Sequence, residues 1–188
     1  MTSFLSDLRI YTGRIRQFQR RDWAVYLAWV GLLSGLCFAT LGFLLVGLAR
    51  GARFPAEAWL VPSGAAVFTV AAALDAIGHR TIYKEEIRRA EGLVHAVTIF
   101  CGIASCVLLC AAYGGGRAAS IPAAVLTGLS LLYSLVDEAF HWKRYVSAHS
   151  DRVEMWSHVG ILAGHITMMA AWWAWLLGGY QGVAAAVA

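Results

Sequence analysis

The chain is short of charge. Only 14% of its 188 residues are Asp, Glu, Lys or Arg, while 60% are hydrophobic and the mean hydropathy is +0.64. That balance excludes a water-soluble domain, in which about a quarter of residues carry charge. Closely paired cysteines are missing too: Cys101, Cys106 and Cys110 share one apolar run and Cys37 stands in another. This excludes the spacing of a zinc finger or a redox motif and leaves them as small hydrophobes. A cleavable leader is also missing, because the first long apolar run begins after about 22 mostly polar or amphipathic residues and is too long for a signal core.

What is present is apolar length. Five runs, 23–48, 58–78, 92–113, 120–140 and 155–177, each reach the roughly 20 residues a helix needs to cross a hydrocarbon core. Lipid offers backbone groups no partner, so such runs are helices. The sequence therefore predicts an all-α integral membrane protein: an amphipathic segment at 1–22, then a single five-helix transmembrane domain over 23–188.

Of the 15 basic residues, 12 lie in the N-terminal segment or within 80–89 and 143–152, and only Arg50, Arg53 and Arg117 lie on the other side. The positive-inside tendency then predicts a bacterial inner-membrane protein with its N-terminus cytoplasmic and its C-terminus outside. The net charge of +4 is a topology signal and gives no reason to invoke nucleic acid.

In the first 22 residues, Phe4, Leu8, Tyr11, Ile15 and Phe18 recur at helical spacing among Arg9, Arg14, Arg16, Arg20 and Arg21. This is the pattern of a helix lying on an anionic membrane face; a partner-binding helix is the competing reading. Trp172, Trp173 and Trp175, with Trp23 and Tyr26, read as interfacial aromatic belts. Gly31 and Gly35, four apart, suggest that the first helix packs closely on the others.

The polar connections hold a repeat. "LDAIGHRTIYKEEIRRAEGLVH" at 74–95 aligns with "VDEAFHWKRYVSAHSDRVEMWSH" at 136–158. Asp75 falls on Asp137, His79 on His141 and Tyr83 on Tyr145; after one inserted residue, Glu91 falls on Glu154 and His95 on His158. Helices two and three (about 58–113) and four and five (about 120–177) then form two tandem hairpins of one four-helix bundle, related by a pseudo-twofold axis along the membrane normal. The chain has 11 acids and six histidines, so random placement gives about 0.35 acids four residues before a histidine. The sequence holds four such pairs: Asp75 with His79, Glu91 with His95, Asp137 with His141 and Glu154 with His158.

Residues i and i+4 lie on one face of a helix, so four helices can aim these eight side chains at one region. Eight mixed oxygen and nitrogen donors exceed what one tetrahedral ion takes and suit two. Carboxylate with imidazole favours iron first, with zinc, copper or manganese as further candidates; magnesium and calcium prefer oxygen alone. Di-iron carboxylate proteins build comparable sites from four inward-facing helices. The structural alternative for any one pair is an ordinary solvated ion pair at a membrane boundary.

Around this set, Tyr83 and Tyr145 lie one turn beyond His79 and His141, as outer partners or interfacial anchors. Glu138 could substitute for Asp137, and His149 stands in a loop without a helical acid partner. His165, seven residues beyond His158 and with Gly102 as its repeat counterpart, breaks the symmetry. It is an extra ligand, a proton relay, a haem ligand or a simple interhelical hydrogen bond.

The stretch 74–95 resembles the copper-binding stretch of the membrane C subunit of particulate methane and ammonia monooxygenases, where an Asn or Asp, a Gly-His, a Glu-Glu pair and a later histidine occur in that order. The resemblance covers about 22 of 188 residues and implies Asp75, His79 and His95 as copper ligands. The residues themselves lead to a membrane oxidoreductase with a dinuclear, di-iron centre acting on a hydrophobic substrate, served by an electron donor or partner subunit. A zinc-dependent lipid hydrolase, a metal-transport module and a haem- or pigment-binding subunit are the other readings.

Overall fold

The computed structural model describes residues 3–82, 89–148 and 151–188, for 89–91 and 148 the backbone only. These form α1 (Phe4–Gly13), a 3-10 turn (Arg14–Gln17), α2 (Arg20–Ala49), α3 (Ala56–Thr81), α4 (Arg89–Gly115), α5 (Arg117–Ala148), α6 (Arg152–Leu177) and a short α7 (Val183–Val187). Helices α2 to α6 are each long and apolar enough to span a membrane, and no strand occurs among the described residues. The chain is an all-α integral membrane protein. Each predicted run lies inside one of these helices. The largest extension is in α5, which runs past 140 because His141 and Arg144 keep facing inward while Trp142, Lys143 and Val146 stay exposed.

One end of the bundle gathers α1, the end of α3, the start of α4, the end of α5 and the start of α6; most of the basic residues are here. Two helix starts at this basic end are capped. The Asp151 carboxylate accepts from the Val153 N–H at 3.0 Å, and the Asp22 carboxylate from the Gln19 N–H, also at 3.0 Å. Such caps satisfy N–H groups that have no partner within the helix.

Helices α3 to α6 form the bundle, in which α5 also packs on α6 within the second hairpin. The tightest pairs are α3 with α6 and α4 with α5, and α3 makes no close backbone approach to α4 among the described residues. The glycines give the reason. A Cβ on Gly64 would lie 2.5 Å from the Met168 nitrogen, and one on Gly164 would lie 2.5 Å from the Phe68 nitrogen. Small residues allow α3 and α6 to touch backbone to backbone, the usual route to tight association where lipid removes the hydrophobic drive. The two tight pairs exchange under the repeat, α3 with α6 mapping onto α5 with α4, whereas the α5–α6 contact has no α3–α4 counterpart among the described residues.

Three other expectations change. Gly31 and Gly35 do not pack on the bundle, since an added Cβ at either would meet nothing within 4 Å; α2 lies along α3 through other residues, among them Cys37 and Leu44. Trp172 and Trp175 are not belt residues but core, buried against Tyr180 and Phe54 at the end opposite the basic one. The Trp175 indole can be buried because its N–H donates to the Gln181 carbonyl at 3.0 Å. The stripe of the N-terminal segment faces protein: Tyr11 is fully buried against Ile77 and Val153, with Leu8, Ile15 and Phe18 packed around it. Of the cysteines, Cys37, Cys101 and Cys106 are buried and Cys110 is exposed.

Candidate functional site

Near the basic end, α3, α4, α5 and α6 each turn polar side chains inward. Asp75 and His79 come from α3, His95 from α4, Asp137, Glu138 and His141 from α5, and Glu154 and His158 from α6. His141 and His158 are almost wholly enclosed and Glu154 nearly so, while His95 is the most open, at 27%.

The contacts repeat across the pseudo-twofold axis. Asp75 Oδ1 lies 3.0 Å from His158 Nε2, and its counterpart Asp137 Oδ1 lies 3.2 Å from His95 Nε2. Within the helices, Asp75 Oδ2 is 3.3 Å from His79 Nε2, and Asp137 Oδ1 is 3.7 Å from His141 Nε2. Two sets of one aspartate and two histidines result: Asp75, His79 and His158, and Asp137, His141 and His95. The sets interlock at His141, whose ring stacks on His158 with centroids 3.5 Å apart and stands 5.8 Å from His79 and 6.1 Å from His95. Donor atoms of His79, His141 and His158 lie within 4.8 Å of one another, as do those of His95, Asp137 and His141.

Two features of this geometry bear on its chemistry. First, the cross-helix pairs are close but poorly aligned for hydrogen bonding: Asp75 Oδ1, His158 Nε2, Asp137 Oδ1 and His95 Nε2 are all buried, and among the described residues none makes a well-aligned hydrogen bond. A salt-bridged pair directs its N–H at the carboxylate, whereas ligands of a common ion direct their lone pairs at a point between them. Second, two imidazoles are held from behind. His141 Nδ1 lies 3.2 Å from Glu154 Oε1, and His158 Nδ1 lies 3.3 Å from Glu138 Oε1. A carboxylate on Nδ1 fixes ring and tautomer and frees Nε2 as a donor, the arrangement that orients metal-binding histidines. Arg144 stands 3.5 Å from the same Glu154 oxygen.

Seven of the eight residues proposed from the sequence thus converge; the side chain of the eighth, Glu91, lies outside the described residues, as do Tyr83 and His149. Two of the sequence pairs meet, Asp75 with His79 and Asp137 with His141, while another differs. Glu154 reaches His141 on α5, not His158 one turn along its own helix. Glu138 joins the cluster beside Asp137 and does not replace it, because neighbours on a helix point about 100° apart and so serve α4 and α6 respectively. Tyr145 meets Trp142, with ring centroids 6.1 Å apart; the residue of that turn that reaches the cluster is Arg144, which the acid and histidine count did not single out. His165 stands apart from the acids, its ring stacked on Phe68 and its Nε2 3.2 Å from Ser130 Oγ.

Fold and site together define a helical membrane bundle with a buried carboxylate and imidazole cluster at one end. Comparison with protein-family models, with curated proteins and with solved structures gives no match to this chain.

Proposed function

We propose that this chain is a membrane metalloprotein binding two metal ions at its basic end, one in each Asp/His/His set, and acting as an oxidoreductase on a hydrophobic, lipid-like substrate. The observation that carries the reading is the pair of pseudo-equivalent sets, Asp75 with His79 and His158 and Asp137 with His141 and His95. A boundary of solvated ion pairs has no reason to repeat the same cross-helix contacts beneath buried imidazoles.

The donor chemistry fits. Mixed oxygen and nitrogen ligation suits iron, manganese or zinc, and iron leads by analogy with carboxylate-bridged centres in four-helix bundles. The likeness of 74–95 to the monooxygenase C subunit keeps copper as the alternative. Iron or copper bound there would supply one-electron redox steps and Lewis acidity, zinc Lewis acidity alone. In this reading Asp75 and Asp137 are the carboxylate ligands and His79, His95, His141 and His158 the nitrogen donors. Glu154 and Glu138 hold His141 and His158 in the binding orientation, and α1 covers part of the basic end through Tyr11.

An apolar groove of about 470 Å³ supports access from lipid. It runs along α3 and α6, lined by Phe4, Val67, Val70, Leu74 and Trp156 among others, and Leu74 and Ser157 in its wall adjoin Asp75 and His158 in sequence. With the basic end cytoplasmic, the groove opens to the inner leaflet.

Elemental analysis of protein purified under mild conditions tests the centre. The expected result is about two ions per chain in the wild type, about half in Asp75→Asn or Asp137→Asn, and almost none in the double variant. Metal-free wild-type protein, or a double variant that keeps its metal, overturns the reading. Visible absorption and paramagnetic resonance then separate redox from hydrolytic chemistry, since colourless protein with stoichiometric zinc points to a hydrolase.

A further inference from the structure

Beneath the cluster the bundle holds a second polar feature. On α5, Thr127, Ser130 and Ser134 are buried and precede Asp137 and His141 at alternating steps of three and four residues, which keeps all five on one helix face. The stripe is about 21 Å long at 1.5 Å per residue, and three hydroxyls in such a row on a lipid-embedded helix need partners. Thr127 accepts from the Trp173 indole N–H at 3.1 Å; Ser130 donates to the Thr98 carbonyl at 3.1 Å and meets His165 Nε2 at 3.2 Å.

His165 is not there to fill the repeat. Its counterpart is Gly102, and the counterpart of Phe68, on which it stacks, is Ser130. The α4–α5 pair therefore makes the same crossing with a glycine and a serine, where an added Cβ on Gly102 would lie 3.1 Å from Ser130 Oγ. The α3–α6 pair places a buried imidazole at this depth, whose Nδ1 has no hydrogen-bond partner among the described residues; nor has Thr98 Oγ1 nearby on α4. Buried polar atoms in this state are usually satisfied by ordered water.

We propose that the hydroxyl stripe of α5, with His165 facing it, holds a short file of water that conducts protons between the middle of the bundle and the Asp/His cluster, with His165 as its inner relay. A proton accepted at Nδ1 is matched by one released from Nε2 to Ser130, whose own hydroxyl proton, turned from the Thr98 carbonyl to a water of the file, passes on towards Ser134 and Asp137. No group gains or loses charge overall. What the file serves rests on the metal reading above; whether it exists does not.

Exchange at the His165 ring tests this. Protein with ¹⁵N-labelled histidine in micelles is moved into D₂O, and the His165 N–H, identified by its loss in His165→Gln, is followed by NMR. The expected exchange is at least tenfold faster than that of the flanking Gly164 and Ile166 amides. Ser134→Val should slow it at least tenfold, and Ser134→Thr, which has the shape of valine but keeps the hydroxyl, should restore it. His165 exchanging at the pace of its flanking amides, or equal rates in the Val and Thr variants, overturns the file and leaves an ordinary interhelical hydrogen bond. If Ser134→Val does not fold, the wild-type comparison decides alone. Elemental analysis of the same samples keeps the two ideas apart: metal-free protein with fast exchange overturns the metal reading only, and metal-loaded protein with slow exchange overturns the file only.

Discussion

At the residue scale, the acid and histidine pairs spaced by four named side chains that meet in the bundle, the Glu91 side chain lying outside the described residues, but gave only some of their contacts. Helical spacing puts two side chains on one face but does not say which neighbouring helix that face meets, so the Glu154 to His141 and Asp75 to His158 contacts required the packed bundle. The packing also makes the two halves unequal. His158 has Glu138 behind it, whereas the repeat position of Glu138 is Ala76, and His95 is the more exposed of the pseudo-equivalent histidines. Each set keeps one histidine held from behind, His158 by Glu138 and His141 by Glu154, and losing such a carboxylate typically costs about 10- to 100-fold in metal affinity. The inequality therefore lies in exposure: if the cluster holds two ions, a limiting chelator should remove them in two phases, the one beside the open His95 first. His95→Ala should abolish the fast phase, and Glu138→Ala should merge the two. A single phase of release in the wild type would contradict this inequality.

At the element scale, the glycines separate close packing from mere frequency. Gly31 and Gly35 fit the small-residue pattern in sequence, yet open space lies above both, while Gly64 and Gly164, 100 positions apart in the chain, carry the α3 to α6 crossing. A sequence pattern can flag small residues within one helix; it cannot pair helices that are distant in sequence. Gly164→Val would drive its side chain into the Phe68 backbone, which cannot yield as a flexible side chain would. Overpacking of this kind costs about 1–3 kcal/mol or more. Gly35→Ala should stay within about 0.5 kcal/mol of wild type. Thermal unfolding of the two variants in detergent distinguishes them, and equal melting temperatures would mean that the crossing does not depend on close approach.

The helices themselves were legible for the opposite reason: apolar length suffices to define a membrane helix, so all five appeared before any packing was known. Their ends were not, because α5 and α6 extend into polar sequence where inward-facing side chains replace hydropathy as the signal. The N-terminal stripe was visible as a helix face but its destination was not. An apolar stripe beside arginines suits a lipid surface and a protein groove equally, and Ile77 and Val153 supply the groove. Tyr11→Ala should accordingly loosen α1 from the bundle, seen as faster proteolysis within the first 20 residues, with the metal content of the cluster retained. Unchanged proteolysis would indicate that the contact with Ile77 and Val153 contributes little.

At the scale of the whole molecule, the cluster concentrates charge where the bundle is least able to screen it. Asp75, Asp137, Glu138 and Glu154 are buried or half-buried around four imidazoles, with Arg144 the guanidinium beside Glu154, and the rings of His141 and His158 are stacked at 3.5 Å. Protonating both stacked rings would set like charges face to face, so only one of these two imidazoles can readily help balance the four carboxylates as an imidazolium ion. In the proposed metal reading, two divalent cations would balance them and bind only the folded arrangement, which would link occupancy to stability. An ion held at 100 times its dissociation constant contributes about 2.7 kcal/mol, which for a chain of this length corresponds to roughly 5–10 °C in melting temperature. Chelation should lower the melting temperature by that order, and re-addition of the native ion should restore it. In Asp75→Asn with Asp137→Asn, four acids become two and the ligand sets lose their carboxylates, so the melting temperature should no longer respond to chelator or metal. A wild-type melting curve indifferent to both would mean that the cluster balances its charge with protons, and the bundle would then be a membrane protein with a buried ion-pair network in place of a metal centre.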